Sequence, residues 1–135
     1  MLVTLNEILA IAKEKNCAVG AFNTPNLEFV TAVINAAEEL DVPVILSHAE
    51  LHESVAPIKI IGPVMIEAAR KAKVPVCVHL DHCETLSYMA EALKIGFTGV
   101  MYDGSVLPYE ENTKNTKIAV AMAKNYGADV EAEIG

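Results

Sequence analysis

No apolar run in this sequence is long enough to cross a bilayer. The most apolar stretches, Ile60 to Ile66 and Val74 to Leu80, fall far short of the ~20 residues a spanning helix needs. The first fifteen residues alternate apolar and charged side chains and lack the continuous apolar core of a secretory signal. Cysteine is scarce. Cys17, Cys77 and Cys83 are too few and too unevenly spaced for a disulfide framework. They are expected to be small core residues, and a reducing cytoplasm is the simplest compartment. Positive charge is scarce too. With 10 Lys+Arg against 18 Asp+Glu, the formal net charge is −8. That balance argues against nucleic acid, whose phosphates need clustered basic residues, and against an anionic membrane surface. Linkers, low-complexity tracts and charge runs are also missing, so residues 1–135 are expected to form a single unit.

What is present is a globular composition, 53% hydrophobic and 21% charged, and an alternation of short β-branched runs with longer amphipathic ones. Thr4-Leu5-Asn6-Glu7 is a capping box that predicts a helix from Leu5 to Lys15. Ala18 to Phe22 predicts a strand. Leu27 to Leu40 predicts a helix with Leu27, Val30, Ile34 and Ala37 on one face. Val42 to Ser47 predicts a second strand and Val74 to Leu80 a third. Between them, Pro57 to Lys73 is helical, with Pro63 a break or a restart. Thr85 to Ile95 is a helix stopped by Gly96, which suits a left-handed cap. Gly99 to Asp103 is a fourth strand. A helix opened by Pro108 runs to Tyr126, and Asp129 to Ile134 is a fifth strand.

Strands alternating with helices imply right-handed βαβ units and a parallel sheet. An open doubly wound sheet and part of a (β/α)8 barrel both fit that alternation. Side-chain parity separates them. In the third strand Val74, Val76, Val78 and Leu80 share one face, while Cys77, His79 and Asp81 share the other. In the fifth, Val130, Ala132 and Ile134 oppose Glu131 and Glu133. A doubly wound sheet buries both faces under helices and should be apolar on both. One apolar face, with acids and histidine on the other near the strand ends, suits a barrel with helices outside and a polar mouth. A complete barrel takes about 250 residues, so the five strands predicted here make a partial barrel.

The sharpest chemical cluster is Val78-His79-Leu80-Asp81-His82-Cys83, at the end of a barrel-type strand. Neutral imidazole binds Zn²⁺, and a carboxylate beside a metal can serve as acid or base. A polar strand end hydrogen-bonded into a loop is the plainer alternative. Glu131 and Glu133 point to one enclosed face, where two carboxylates repel unless a cation or proton intervenes. Asp103, before Gly104, is either a turn residue or a third acid at the mouth. His48 and His52, four apart, are a metal pair if helical and otherwise loop residues near the mouth.

Four segments, in order, carry a resemblance: Gly20-Ala21-Phe22-Asn23; Val78-His79-Leu80-Asp81-His82-Cys83; Met101-Tyr102-Asp103-Gly104-Ser105 with Leu107-Pro108-Tyr109-Glu110-Glu111-Asn112; and Val130-Glu131-Ala132-Glu133-Ile134-Gly135. The chain resembles the N-terminal half of the class II, metal-dependent ketose-bisphosphate aldolases, which include fructose- and tagatose-bisphosphate aldolases. The resemblance implies an α/β (β/α)8 barrel, here its first five strands. It implies zinc-dependent cleavage of a ketose bisphosphate to dihydroxyacetone phosphate and an aldehyde phosphate. By resemblance, His82 is a zinc ligand, Asp81 moves a proton at the C4 hydroxyl, and Asp103 and Glu133 hold the metal in an alternative position. Glu131 is a supporting acid, and Asn23 and Ser47 contact substrate. Co²⁺ is an expected substitute for Zn²⁺. No Schiff-base lysine is required, and no Lys lies within a predicted strand.

The family's remaining zinc histidines and its phosphate loops fall beyond residue 135. The expected partners are therefore a phosphorylated sugar and either a second copy or a complementing barrel half. A non-catalytic assembly subunit and a metal or phosphosugar binder are the alternatives.

Overall fold

The computed structural model describes residues 1–135. Helix α1 spans Leu5–Lys15 and is followed by β1 (Gly20–Asn23), α2 (Leu27–Leu40), β2 (Val44–Ala49), a 3-10 turn (Glu50–His52) and α3 (Ile58–Lys71). Then come β3 (Val76–Cys83), α4 (Leu86–Ile95), β4 (Gly99–Tyr102), α5 (Tyr109–Lys124) and β5 (Asp129–Ala132). All five strands are parallel and lie in the order β1-β2-β3-β4-β5. A doubly wound sheet reverses its strand order at a switch point; this sheet never does. Each strand pairs with its successor and each crossover helix returns on the same side, which is the wall of a barrel.

Packing follows parity. Val76, Val78 and Leu80 of β3 are fully buried in one core with residues of α2, α3, α4 and α5. On the opposite face, Cys77 and Ile45 meet Leu5 and Ile8 of α1 in a smaller cluster. Helix α1 thus covers the N-terminal end of the inner face. It is held there by Asn6, whose amide and side-chain Nδ2 each donate to the Asp129 carboxylate at 2.7 Å.

Local signals act as the sequence predicts. Thr4 and Glu7 form the reciprocal capping box of α1, and Gly96 caps α4 in the left-handed region at φ 112°. Other boundaries shift for physical reasons. Strands β2 and β3 start after Pro43 and Pro75, which have no N–H to offer a ladder. Helix α3 neither breaks nor restarts at Pro63. That residue faces solvent, so water can satisfy the carbonyl it leaves unpaired, while buried Ile61, Met65 and Ile66 hold both halves to the sheet. Leu27 is exposed, unlike Val30 and Ala37, and Cys17 is exposed rather than in the core.

Candidate active site

The C-terminal strand ends place the polar residues. Register sets Asn23 beside Ser47, Ser47 beside His79, and Ala49 beside Asp81. Asn23, Ser47, His79 and Asp81, with Glu131 from β5, line a cavity of about 320 Å³ on the inner face, floored by Leu5 and Ile45. Ser47 and His79 are buried there. His79 Nε2 lies 3.2 Å from a Glu131 carboxylate oxygen, without the geometry of a hydrogen bond, so this buried nitrogen has no partner. Burial holds the His79 imidazole below its ordinary value, against the opposing pull of Glu131.

Strand β3 continues past Leu80 to Cys83, further than its apolar pattern predicts. Pairing with β4 slips between those residues: Leu80 opposes Val100 and Cys83 opposes Tyr102. The extra residue is a bulge, and bulges re-aim side chains. Here the re-aimed residue is His82, whose φ of 42° lies in the left-handed region. For a residue with a Cβ that conformation costs about 1–2 kcal/mol, so the surroundings must enforce it. The Asp103 amide helps, donating to the Cys83 carbonyl at 2.8 Å.

The turned ring meets three acids: Asp103 just past β4, Glu133 just past β5 and Asp81 of β3. His82 Nδ1 is 2.8 Å from Asp103 Oδ2 and 3.8 Å from Glu133 Oε2, and its Nε2 is 4.0 Å from Asp81 Oδ1. Donor atoms of His82, Asp103 and Glu133 all lie within 4.8 Å of one another. The hydrogen bond that His82 donates to Asp103 holds its imidazole above the ordinary value, and Asp81 and Glu133 act in the same direction. Asp103 is held below the usual carboxylate range, first by the Ser105 hydroxyl at 2.6 Å and then by His82.

Parity thus brings together Asp81, His79 and Glu131 on the inner face, and at the rim the bulge turns His82 toward Asp103 and Glu133. The His48–His52 pair does not converge on this site. His48 faces the helices and shares a 2.9 Å hydrogen bond with the Tyr88 hydroxyl, and burial pushes it down to about 4. His52 accepts from the Ala49 amide instead. Cys77 and Cys83 are also unsuited as thiolate donors, since burial pushes both up to about 12. Three supporting residues have no role that motif reading alone assigns. Ser105 braces Asp103. Asn112, buried, donates to the Glu133 carbonyl at 2.7 Å. Glu50 grips the segment after His82. A carboxylate one residue past a strand was the only available hint of the last.

The arrangement has relatives. The model of the family described as fructose-bisphosphate aldolase class-II matches residues 3–135. The chain belongs to the class II fructose-bisphosphate aldolase family, whose members are carbon–carbon lyases. It is 43% identical to the fructose-bisphosphate aldolase of Thermus caldophilus, across all of this chain and 44% of that protein. It is 39% identical to the fructose-bisphosphate aldolase of Staphylococcus aureus, across 99% of this chain and 48% of that one. Among solved structures, the YdjI aldolase from Escherichia coli K12 superposes with a TM-score of 0.94 at 35% identity, covering 100% of this chain and 53% of the other. The chain spans about half the length of the curated relatives it matches. The five-stranded sheet is accordingly part of the family's barrel.

Proposed function

We propose that this chain supplies the acid/base and part of the metal shell of a zinc-dependent aldolase that cleaves a ketose 1,6-bisphosphate. The observation that carries this reading is the convergence of His82, Asp103 and Glu133 beside Asp81, at the C-terminal strand ends where barrel enzymes do their chemistry.

One nitrogen and two carboxylate oxygens fit zinc as a donor set, and all three lie within 4.8 Å of one another. His82, Asp103 and Glu133 would hold the metal; Co²⁺ takes similar ligands. When bound, it supplies Lewis acidity at the substrate carbonyl. Asp81, a third exposed on its side chain, takes the proton from the C4 hydroxyl. As that oxygen becomes an aldehyde, the C3–C4 bond breaks and its electron pair passes toward the C2 carbonyl. A proton from solvent at C3, balancing the one taken by Asp81, then gives dihydroxyacetone phosphate, and the C4 fragment leaves as the aldehyde phosphate. Asn23 and Ser47 bind and orient the sugar in the inner cavity. Glu131 supports the same face and neighbours His79.

Strands β1 and β5 each pair on one side only. Beside β1 an apolar groove of about 380 Å³ runs past Phe22, Val33, Leu40 and Val42. These edges support a homo-oligomer or a complementing barrel half as partner. They also favour a second reading for the 135 residues acting alone, a partial-barrel assembly or phosphosugar-binding subunit without catalysis. No helix is long and apolar enough to cross a membrane. The unpaired cysteines support a reducing compartment such as the cytoplasm.

The test is elemental analysis with a coupled assay for dihydroxyacetone phosphate, on the protein carrying this chain, with fructose and tagatose bisphosphates in parallel. Bound zinc and chelator-sensitive cleavage of either sugar are expected. Cleavage that survives complete removal of metal would overturn the reading.

A further inference from the structure

Glu50 follows β2 directly, and its carboxylate reaches across to the neighbouring β3–α4 connection. Oε2 accepts from the amides of Glu84 at 2.9 Å and Thr85 at 3.0 Å. Oε1 accepts from the Thr85 hydroxyl at 2.6 Å. The Cys83 thiol lies 3.4 Å from Oε2 and 3.1 Å from the Thr85 carbonyl, so its single proton is shared between them. One half-buried side chain therefore holds three consecutive residues, and those three immediately follow His82.

That placement bears on His82 alone among the rim residues. Its left-handed backbone persists only if the chain on either side is fixed. On the N-terminal side the β2–β3 ladder runs through Ala49 and Asp81. On the C-terminal side there are two ties: the Asp103 amide on the Cys83 carbonyl and the Glu50 carboxylate on Cys83, Glu84 and Thr85. Glu50 also borders the open pocket that contains His82 and Asp103. Its oxygens are committed to the Glu84 and Thr85 amides and the Thr85 hydroxyl, so it is bound to the loop and not available as a ligand.

We propose that Glu50 is a positioning residue for His82: by clamping Cys83–Thr85 it maintains the bulge that aims the imidazole at Asp103 and Glu133. The inference rests on reading those three residues as a metal site. It differs from simple stabilisation of α4, and the fold holds a control. Helix α4 is tied to this region a second time: the Tyr88 hydroxyl hydrogen-bonds to His48 of β2 at 2.9 Å and donates to Glu53 of the β2–α3 loop at 2.6 Å. This second latch leaves the end of β3 untouched.

The experiment compares Glu50→Ala, Glu50→Gln and Tyr88→Phe in the protein that carries this chain. Zinc affinity is read by chelator competition and ligand geometry by the Co²⁺ absorption spectrum. Nuclear Overhauser contacts between the His82 ring and Asp103 are read in metal-free protein. Glu50→Ala is expected to weaken zinc binding by about tenfold or more, to alter the cobalt spectrum and to lose the ring contacts. Glu50→Gln keeps an acceptor for the two amides and should recover part of each. Tyr88→Phe should lower the melting temperature and leave zinc affinity and spectrum unchanged. Wild-type affinity and contacts in Glu50→Ala would overturn the proposal, as would equal zinc loss in Tyr88→Phe. If Glu50→Ala does not fold, Glu50→Gln decides: a partial loss supports the clamp and none refutes it. If the unsubstituted protein binds no zinc, the metal reading fails by itself, and the metal-free ring contacts still decide the role of Glu50.

Discussion

His82 Nδ1 lies 2.8 Å from Asp103 Oδ2, a contact between residues 21 apart in sequence that ties the end of β3 to the end of β4. Each partner shifts the other. Asp103 raises His82 from its ordinary 6.5, while Ser105 and then His82 lower Asp103 from 3.8. A raised histidine stabilises the fold fully below its unfolded pKa, and the contribution disappears as pH rises through the folded value. A lowered aspartate stabilises above its unfolded pKa, and the contribution disappears as pH falls through the folded value. In metal-free protein the pair is therefore strongest between about pH 4 and 6.5. Half the His82 side chain is exposed, so solvent screening keeps the energy small.

An NMR titration of the metal-free protein should accordingly find His82 above 6.5, and Asp103→Asn should bring it down. Zinc needs the deprotonated imidazole nitrogen, so metal affinity should weaken as pH falls below the His82 pKa. A pH-independent zinc affinity across that range would remove His82 from the ligand set.

Under the proposed function, the adjacent residues Asp81 and His82 have different tasks. Asp81 continues the inward parity of β3, while the bulge turns His82 to the rim. In the complete barrel, Asp81→Ala should lower turnover by about 10²- to 10⁴-fold, the usual worth of a positioned proton acceptor, with zinc content little changed. His82→Ala should lose zinc and activity together. Metal analysis alongside steady-state kinetics separates the two, and near-normal turnover in Asp81→Ala would refute its assignment.

What the sequence makes legible, and what it hides, divides along the same line. Parity within β3 and β5 follows from local alternation, so the inward side of His79, Asp81 and Glu131 can be read directly, as can the Thr4–Glu7 box and the Gly96 cap. The bulge cannot. Histidine tolerates a positive φ better than most residues, but its sequence neighbours do not call for one; the conformation is imposed by Glu50 and Asp103, 32 and 21 residues away. Glu133 is similar. Strand β5 ends at Ala132, and a buried Asn112 sets the backbone beyond it. Pro63 shows the reverse case, a strong local breaker overridden because the helix around it buries enough apolar surface.

Gly99 tests how tightly the inner face is packed. A Cβ there would sit 2.8 Å from the His79 ring and 3.2 Å from both Cys77 Sγ and Leu5 Cβ. His79 is buried and cannot swing away without moving its neighbours. Gly99→Ala should destabilise the protein by about 1–3 kcal/mol, the usual cost of overpacking, and should displace His79 from Glu131. Urea denaturation measures the first and the His79 ring resonances the second. An unchanged denaturation midpoint would mean that α1 and the His79 ring yield more easily than their burial implies.

The open edge of β1 has the most direct consequence for the 135-residue chain expressed by itself. All four residues of β1 are exposed, and its outer hydrogen-bonding side faces no strand. Next to it, Phe22 is 50% and Leu40 71% exposed along the apolar groove. Covering each such side chain contributes about 1.5–3 kcal/mol, and an unpaired strand edge offers a template for another chain. The isolated chain should therefore self-associate, or pair with a complementing barrel half supplied in trans. Sedimentation velocity should show a concentration-dependent rise in mass. Phe22→Ser with Leu40→Lys should reverse much of it, because the first removes the ring beside the edge and the second places a charge in the groove. Both side chains point away from the cavity lined by Asn23 and Ser47, so loss of association in this double variant would report the edge and not the site. A single monomer boundary for the unsubstituted chain at every concentration, with cooperative unfolding, would show that the edge is stable uncovered.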